Sequence, residues 1–344
     1  MLTSTSSTSV SVAGRGMTLL AAAGSALIVF AATAVILRFL IPVLKSHKVG
    51  QKIYDIGPRW HKGKEGTPIM GGLSFIAASF AVMAAAFAVF AAKGETDSFM
   101  PVLLGMAFAL FNALIGFFDD YTKLIKKQNQ GFKAWQKFLL QVAVAALYVA
   151  GLAFTGTVGT GIPLPYTGAV LDLGFFSYVV YVFIGVGFVN AVNLTDGIDG
   201  LAGTVTGIVG IFFAAAAVRA CDAGVAVFAG CVAGGCAGFL VYNFYPAMIF
   251  MGDTGSLFLG GAVTGLAFAV GEPLILLPAG VIYLAEVMSD ILQVGWFKIT
   301  RGKRLFKMAP IHHHFEKCGW SEVKIVTVFG AVTLLGCAAA WMGL

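Results

Sequence analysis

Residues 75–92 read FIAASFAVMAAAFAVFAA, eighteen positions without a single charge. As helix, such a run extends about 27 Å, close to the roughly 30 Å hydrocarbon core of a bilayer. A strand of a membrane barrel would instead alternate lipid-facing and lumen-facing residues over about ten positions, and this run does not alternate. Working outward from it, apolar runs recur at 17–44, 71–92, 100–118, 137–155, 174–194, 201–219, 225–243, 256–271, 274–297 and 324–343. The expected fold class is therefore all-α, a polytopic membrane protein of about ten transmembrane helices. The composition agrees: the 344 residues are 59% hydrophobic and 11% charged, which excludes an ordinary soluble domain.

Residues 1–16, MLTSTSSTSVSVAGRG, are small and polar and are expected to form a disordered tail. They lack the basic start and short apolar core of a cleaved signal. Residues 17–344 read as one integral membrane domain. Cys221, Cys231, Cys236 and Cys337 lie in or beside apolar runs and Cys318 in a polar loop, so no disulfide framework is implied.

Alternating helices divide the connections into two sets. One set, 45–70, 119–137, 195–200, 244–255 and 298–324, holds eighteen of the 22 lysines and arginines. The positive-inside rule makes that set cytoplasmic and places both termini outside. The formal charge of +6 is then an inner-face property, suited to anionic headgroups or phosphorylated substrates, and gives no argument for nucleic acid.

Acid motifs end three apolar runs on that same face. Span three finishes in GFFDDYTK, with Asp119, Asp120 and Lys123; span five runs into NAVNLTDGIDG, with Asn193, Asp196 and Asp199; span seven leads through VYNFYPAMIFMGDTGS, with Asn243, Phe250 and Asp253. Carboxylates gathered from separate helices repel one another unless a cation sits among them. Mg²⁺ suits such a place, because it takes one or two carboxylates and completes its shell with water and substrate phosphate oxygens. Taken singly, each motif reads equally well as a helix cap or a solvated turn. Three on one face favour a site.

Basic groups accompany the acids. The segment RWHKGKEGTPIMGG, 59–72, carries Arg59, His61, Lys62 and Lys64 in the manner of a phosphate-gripping loop, without the P-loop pattern. Lys123 lies one turn beyond Asp119, and Lys137 opens span four, whereas Lys126, Lys127 and Lys133 read as surface charge. In KMAPIHHHFEKCGW, 307–320, neighbours on a helix would point about 100° apart, so His312, His313 and His314 are expected in a loop. A zinc site from His312, His314 and Cys318 would lack a second ligand cluster. Imidazoles donating to diphosphate or sugar oxygens fit better. Span nine adds a polar stripe, Glu286, Asp290 and Gln293, of the kind that faces a cavity or another helix. The glycines of GTVTGIVG and GCVAGGCAG read as packing seams.

In this order, FFDDYTK, NAVNLTDGIDGLAG, YNFYPAMIFMGDTGS and APIHHHFE resemble the polyprenyl-phosphate N-acetylhexosamine-1-phosphate transferases. The HHH stretch resembles their bacterial phospho-N-acetylmuramoyl-pentapeptide transferase branch. The likeness covers roughly residues 40–344. It implies an enzyme of the bacterial cytoplasmic membrane that moves phospho-MurNAc-pentapeptide from UDP-MurNAc-pentapeptide to undecaprenyl phosphate, with Mg²⁺, releasing UMP and leaving lipid I, an intermediate of peptidoglycan.

The resemblance further implies Asp119, Asp120 and Asp253 as the catalytic aspartates, with Asp253 the Mg²⁺ ligand and Asp119 the candidate that orients or deprotonates the lipid phosphate. Asn193, Asp196 and Asp199 would serve the nucleotide or the metal shell; Asn243 and Lys64 would contact diphosphate or uridine; Phe250 would stack on uracil. Lys123, Lys137, Gln293 and His312 to His314 complete the substrate-binding set. Direct attack and a covalent aspartyl intermediate both remain open at this level. The alternatives are a transferase of UDP-N-acetylglucosamine and, in another class, an ion-coupled transporter, although transporter sites usually lie in broken helices near the bilayer midplane. Packing glycines in a membrane setting are also compatible with a homodimer.

Overall fold

A computed structural model describes residues 4–46, 64, 66–126 and 131–344. Its long helices are α1 (Ser4–Ser46), α2 (Gly72–Ala92), α3 (Thr96–Lys126), α4 (Ala134–Phe154), α5 (Phe176–Thr195), α6 (Leu201–Ala220), α7 (Ala223–Asn243) and α8 (Gly252–Ala269). They are followed by α9 (Leu276–Ala279), α10 (Val281–Ile299), α11 (Ile311–Lys317) and α12 (Glu322–Met342). α1 takes in most of the stretch read above as a tail. A small antiparallel hairpin, β1 (Gly161–Pro163) with β2 (Val170–Asp172), occupies the connection between α4 and α5, in register Ile162 to Leu171.

Eight of these helices are long and apolar enough to cross a membrane. The expected span 274–297 is not one straight helix: a short 3₁₀ turn and α9 meet α10 at Gly280 with a bend of 83°. Two prolines, Pro273 and Pro278, interrupt the ladder ahead of that bend. The remaining expected span, 256–271, corresponds to α8, which falls outside those eight because glycines and hydroxyls dilute it. Leu257 to Phe268 are nonetheless buried without interruption. α8 is the centre of the bundle, shielded by α3, α5, α6 and α7.

Two seams of small residues bring backbones together. On α7, Gly230, Gly234 and Gly238 each face main-chain atoms of α1, at Ala22, Ala26 and Phe30, as the glycine pattern foretold. On α8, a methyl added to Gly265 would come within 2.8 Å of Gly105 Cα, and one at Gly261 within 2.6 Å of Ala109 Cα. Gly116, further along α3, lies against the backbone of Asp253 and Thr254. This second seam is what sets the end of α3 beside the beginning of α8.

Candidate active site

The three acid motifs meet at one end of the bundle. Asp119 and Asp120 from α3 and Asp253 from the first turn of α8 present oxygens all within 4.8 Å of one another. Lys123 Nζ sits 2.7 Å from Asp119 Oδ2 and 2.7 Å from Asp253 Oδ2, and Lys137 Nζ, from the first turn of α4, lies 3.2 Å from the same Asp253 oxygen. Asn193 donates to Asp253 Oδ1 at 2.8 Å and to Ser256 Oγ at 2.7 Å. Three carboxylates against two ammonium groups leave the cluster one formal negative charge.

The neighbouring pair Asp119 and Asp120 divides its work. Asp120 is buried and accepts the backbone N–H groups of Asp253 (3.2 Å) and Thr254 (2.9 Å) together with the Thr254 hydroxyl (2.7 Å). It therefore caps α8 from another helix and satisfies the positive end of that helix dipole. Asp119 instead accepts from Phe132 N–H at 2.6 Å and faces Lys123, so it looks toward the site. A side chain at Gly131 would overlap the Asp119 carboxylate as it now lies.

A second charged group adjoins the first. Asp199 receives Lys64 Nζ on one oxygen at 2.7 Å and Ala247 N–H on the other at 2.9 Å. Glu322, the first residue of α12, takes Lys64 at 2.6 Å and the Asp199 N–H at 3.0 Å. Glu322 escaped the sequence reading, where SEV at 321–323 shows only a helix start capped by Ser321. Between the groups, Asp196 closes α5. Burial, then the charges of Asp253, Asp120 and Asp199, push its carboxyl up to about 8.

Several expected ligand contacts are engaged within the protein. Asn243 is buried, accepting Gly200 N–H at 3.1 Å and donating to Ile249 carbonyl at 2.9 Å. Gln293 accepts the N–H groups of Leu305 (3.1 Å) and Phe306 (2.9 Å), pinning that strand of the loop. Phe250 pairs by its backbone with Pro68 and Gly71, leaving a half-buried ring. Arg59, His61, Lys62 and Lys127 lie outside the described residues.

The histidines are on a helix, correcting the loop expectation: Pro310 is the N-cap, and 311–317 wind two turns. The divergence foreseen for helical neighbours is what the structure uses. His312 is buried against Glu286 of α10, Nδ1 to Oε2 at 3.0 Å; His313 Nδ1 meets Glu316 at 2.5 Å; His314 Nδ1 accepts Lys307 N–H at 3.1 Å. His314 Nε2 lies 3.7 Å from Cys318, while His312 points elsewhere, so the three residues considered for zinc do not converge. No disulfide joins the cysteines.

Comparison with known proteins follows the same lines. Residues 101–271 match the family described as Glycosyl transferase family 4. The phospho-N-acetylmuramoyl-pentapeptide-transferase of Clostridium novyi is 44% identical over 320 residues, 93% of this chain and 96% of that one. Its namesake from Clostridium botulinum is 46% identical over 317 residues, 92% and 94% of the two chains. That from Heliobacterium modesticaldum is 45% identical over 297 residues, 86% and 89%. With likeness of this degree running nearly end to end, the chain belongs to the phospho-N-acetylmuramoyl-pentapeptide-transferase family and is an enzyme.

Proposed function

We propose that the protein transfers phospho-MurNAc-pentapeptide from UDP-MurNAc-pentapeptide to undecaprenyl phosphate, with Mg²⁺, yielding lipid I and UMP at the cytoplasmic face of a bacterial inner membrane. The observation that carries this reading is the gathering of Asp119, Asp120 and Asp253 with Lys123 and Lys137 at the ends of α3, α8 and α4. One substrate is water-soluble and strongly anionic, and the other is a phosphate on a hydrocarbon tail. They can meet only where helix ends reach water. The excess of lysine and arginine in the connections on that side supports a cytoplasmic placement, with both termini outside.

An oxygen of the lipid phosphate attacks the sugar-side phosphorus of the diphosphate. The bond to the uridine-side phosphate breaks, UMP departs with the electron pair, and a new diphosphate links lipid and sugar. Positioning and charge neutralisation supply most of the rate in such transfers. Lys123 and Lys137, which rest on Asp253, are placed to exchange that carboxylate for diphosphate oxygens. Asp119 orients the attacking phosphate and can accept its remaining proton, a group whose pKa is about 6. Asp120 keeps the start of α8 in place, and Asn193 fixes the Asp253 carboxylate.

The donor set suits a hard cation: carboxylate oxygens at the positive end of a helix, without thiolates. Asp253 would hold Mg²⁺, Asp119 being given to the attacking phosphate and Asp120 having its oxygens on α8. Once bound, Mg²⁺ would neutralise the phosphate oxygens on which charge develops.

The test uses purified protein in detergent with UDP-MurNAc-pentapeptide labelled in the sugar, a polyprenyl phosphate and Mg²⁺. Label should pass into the organic phase with equimolar UMP, and EDTA should stop it. Transfer from UDP-N-acetylglucosamine in place of the muramoyl substrate would overturn the substrate assignment, and equal turnover in EDTA would overturn the metal.

A further inference from the structure

Glu286 lies on α10, about one and a half turns beyond the 83° bend, and is completely buried together with His312 of α11. Its Oε2 is 3.0 Å from His312 Nδ1 and 3.4 Å from the His312 backbone N–H. The other nitrogen, His312 Nε2, is buried without a hydrogen-bond partner among the described residues. It is pressed against Gly197, where the smallest side chain would overlap the ring. Gly197 stands beside Asp196 in the turn that carries Asp199. The buried histidine therefore reaches beneath the acid turn from the opposite wall.

We infer that Glu286 is a positioning residue for the transfer: it holds the proton of His312 on Nδ1 and so fixes what Nε2, covered by Gly197 in the resting protein, offers to substrate when the Asp196–Gly197 turn shifts on binding. The inference rests on the proposed transferase reading and deepens it. A neutral imidazole has one donor nitrogen and one acceptor, and the partner at the first nitrogen decides the role of the second. A carboxylate accepts only, so Nδ1 keeps its hydrogen whether the ring is neutral or charged. Nε2 is then an acceptor for a sugar hydroxyl if the ring is neutral and a donor to a diphosphate oxygen if it is charged. α10 braces α11 a second time, since Gln293 grips the backbone at 305–306 and Lys307 N–H binds His314. Both braces are needed because a two-turn helix cannot orient a ring by itself.

The experiment pairs kinetics with spectroscopy. Glu286→Gln keeps the shape but can offer an amide hydrogen to Nδ1, favouring the other tautomer. We expect kcat for UMP release to fall about 10²-fold or more, by analogy with a misassigned tautomer in a catalytic triad, with KM nearly unchanged. The double variant with His312→Gln should be no slower than His312→Gln alone, because Glu286 acts through that ring. In ¹⁵N-histidine NMR spectra of the full protein, Nδ1 of His312 should be protonated in the wild type, and Glu286→Gln should shift the Nε2 resonance. Should Glu286→Gln not purify as a monodisperse species, Glu286→Asp, which withdraws the carboxylate by one methylene, should still cost roughly tenfold.

Loss below twofold in the variant that folds, full multiplication of the two single losses in the double variant, or an unprotonated Nδ1 in the wild type would each overturn the inference. The NMR arm needs no substrate, so a wild type that releases no UMP would overturn the transferase reading and leave the tautomer assignment to be judged separately.

Discussion

The two walls of the site are built on opposite plans. On the α3–α8 wall every carboxylate is paired: Asp119 with Lys123 and a backbone N–H, Asp120 with the start of α8, and Asp253 with two lysines and Asn193. On the α10–α11 wall a buried pair leaves atoms unmatched, since both Glu286 Oε1 and His312 Nε2 lack partners among the described residues. The first wall is near neutral at rest, so a polyanion can be admitted by exchange of partners without leaving several buried acids to repel one another. The second holds its ring in one orientation, with the unmatched nitrogen covered by Gly197. One wall reorganises and the other is preorganised.

The sharpest way to break the first wall is Asp253→Asn. If Asp253 holds Mg²⁺ as proposed, losing its charge while keeping the shape should lower kcat about 10³-fold or more, and added Mg²⁺ should not restore it. An initial-rate assay over a Mg²⁺ series decides this, and wild-type rates at low Mg²⁺ would remove Asp253 from the ligand set.

Next come the seams. Gly261→Val forces α8 from α3 and should cost about 10²-fold in specific activity of the folded fraction, because a displacement of about 1 Å suffices for that. Gly234→Val intrudes on the α1–α7 seam instead. Both should lower the melting temperature by several degrees through overpacking, yet only the first should reduce turnover per folded molecule. Equal activity losses would mean that the α3–α8 approach has no special bearing on the site.

A smaller effect concerns protons. With its carboxyl raised to about 8, Asp196 is largely protonated at pH 7. An arriving divalent cation opposes the neighbouring negative charge and should release up to one proton, so Mg²⁺ affinity should climb with pH toward about 8 and flatten beyond it. Calorimetry in buffers of different ionisation enthalpy measures this release, and Asp196→Asn should remove the larger part of it at pH 7 to 8, since Asp120 is raised only to about 6. The least effect is expected from Glu322→Gln, which loosens Lys64 without removing a group from the acid cluster. A rise of roughly threefold to tenfold in KM for the sugar nucleotide, with kcat unchanged, is the expected outcome.

Much of this architecture could be read from the chain itself. Apolar runs locate α2, α4, α5, α6, α7 and α12 within a few residues, because lipid tolerates little else over such lengths. Hydropathy missed the bend at Gly280, since the run stays greasy on both sides and only two prolines hint at a break. It also gave no sign of the β1–β2 hairpin. Among site residues, Asp119, Asp253 and their lysines stood out because charge is rare at the end of an apolar run. Asp120 and Asn243 stood out for the same reason, although the structure engages them in holding backbone, a distinction invisible without knowing what lies opposite. Glu322 carries no such mark, as an acid in the first turn of a helix is ordinary and its partner, Lys64, is distant in sequence. The histidines were readable as a group, but their helix follows from Pro310 and from contacts with α10.

The dilute composition of α8 bears on how the molecule is made. A segment that begins Gly-Asp-Thr-Gly-Ser and carries glycines throughout gains little from lipid on its own, and is comfortable only when neighbouring helices already surround it. Maturation of the enzyme would therefore finish at its centre, with Asp253 delivered last, so that incomplete assemblies would be chemically silent in the membrane.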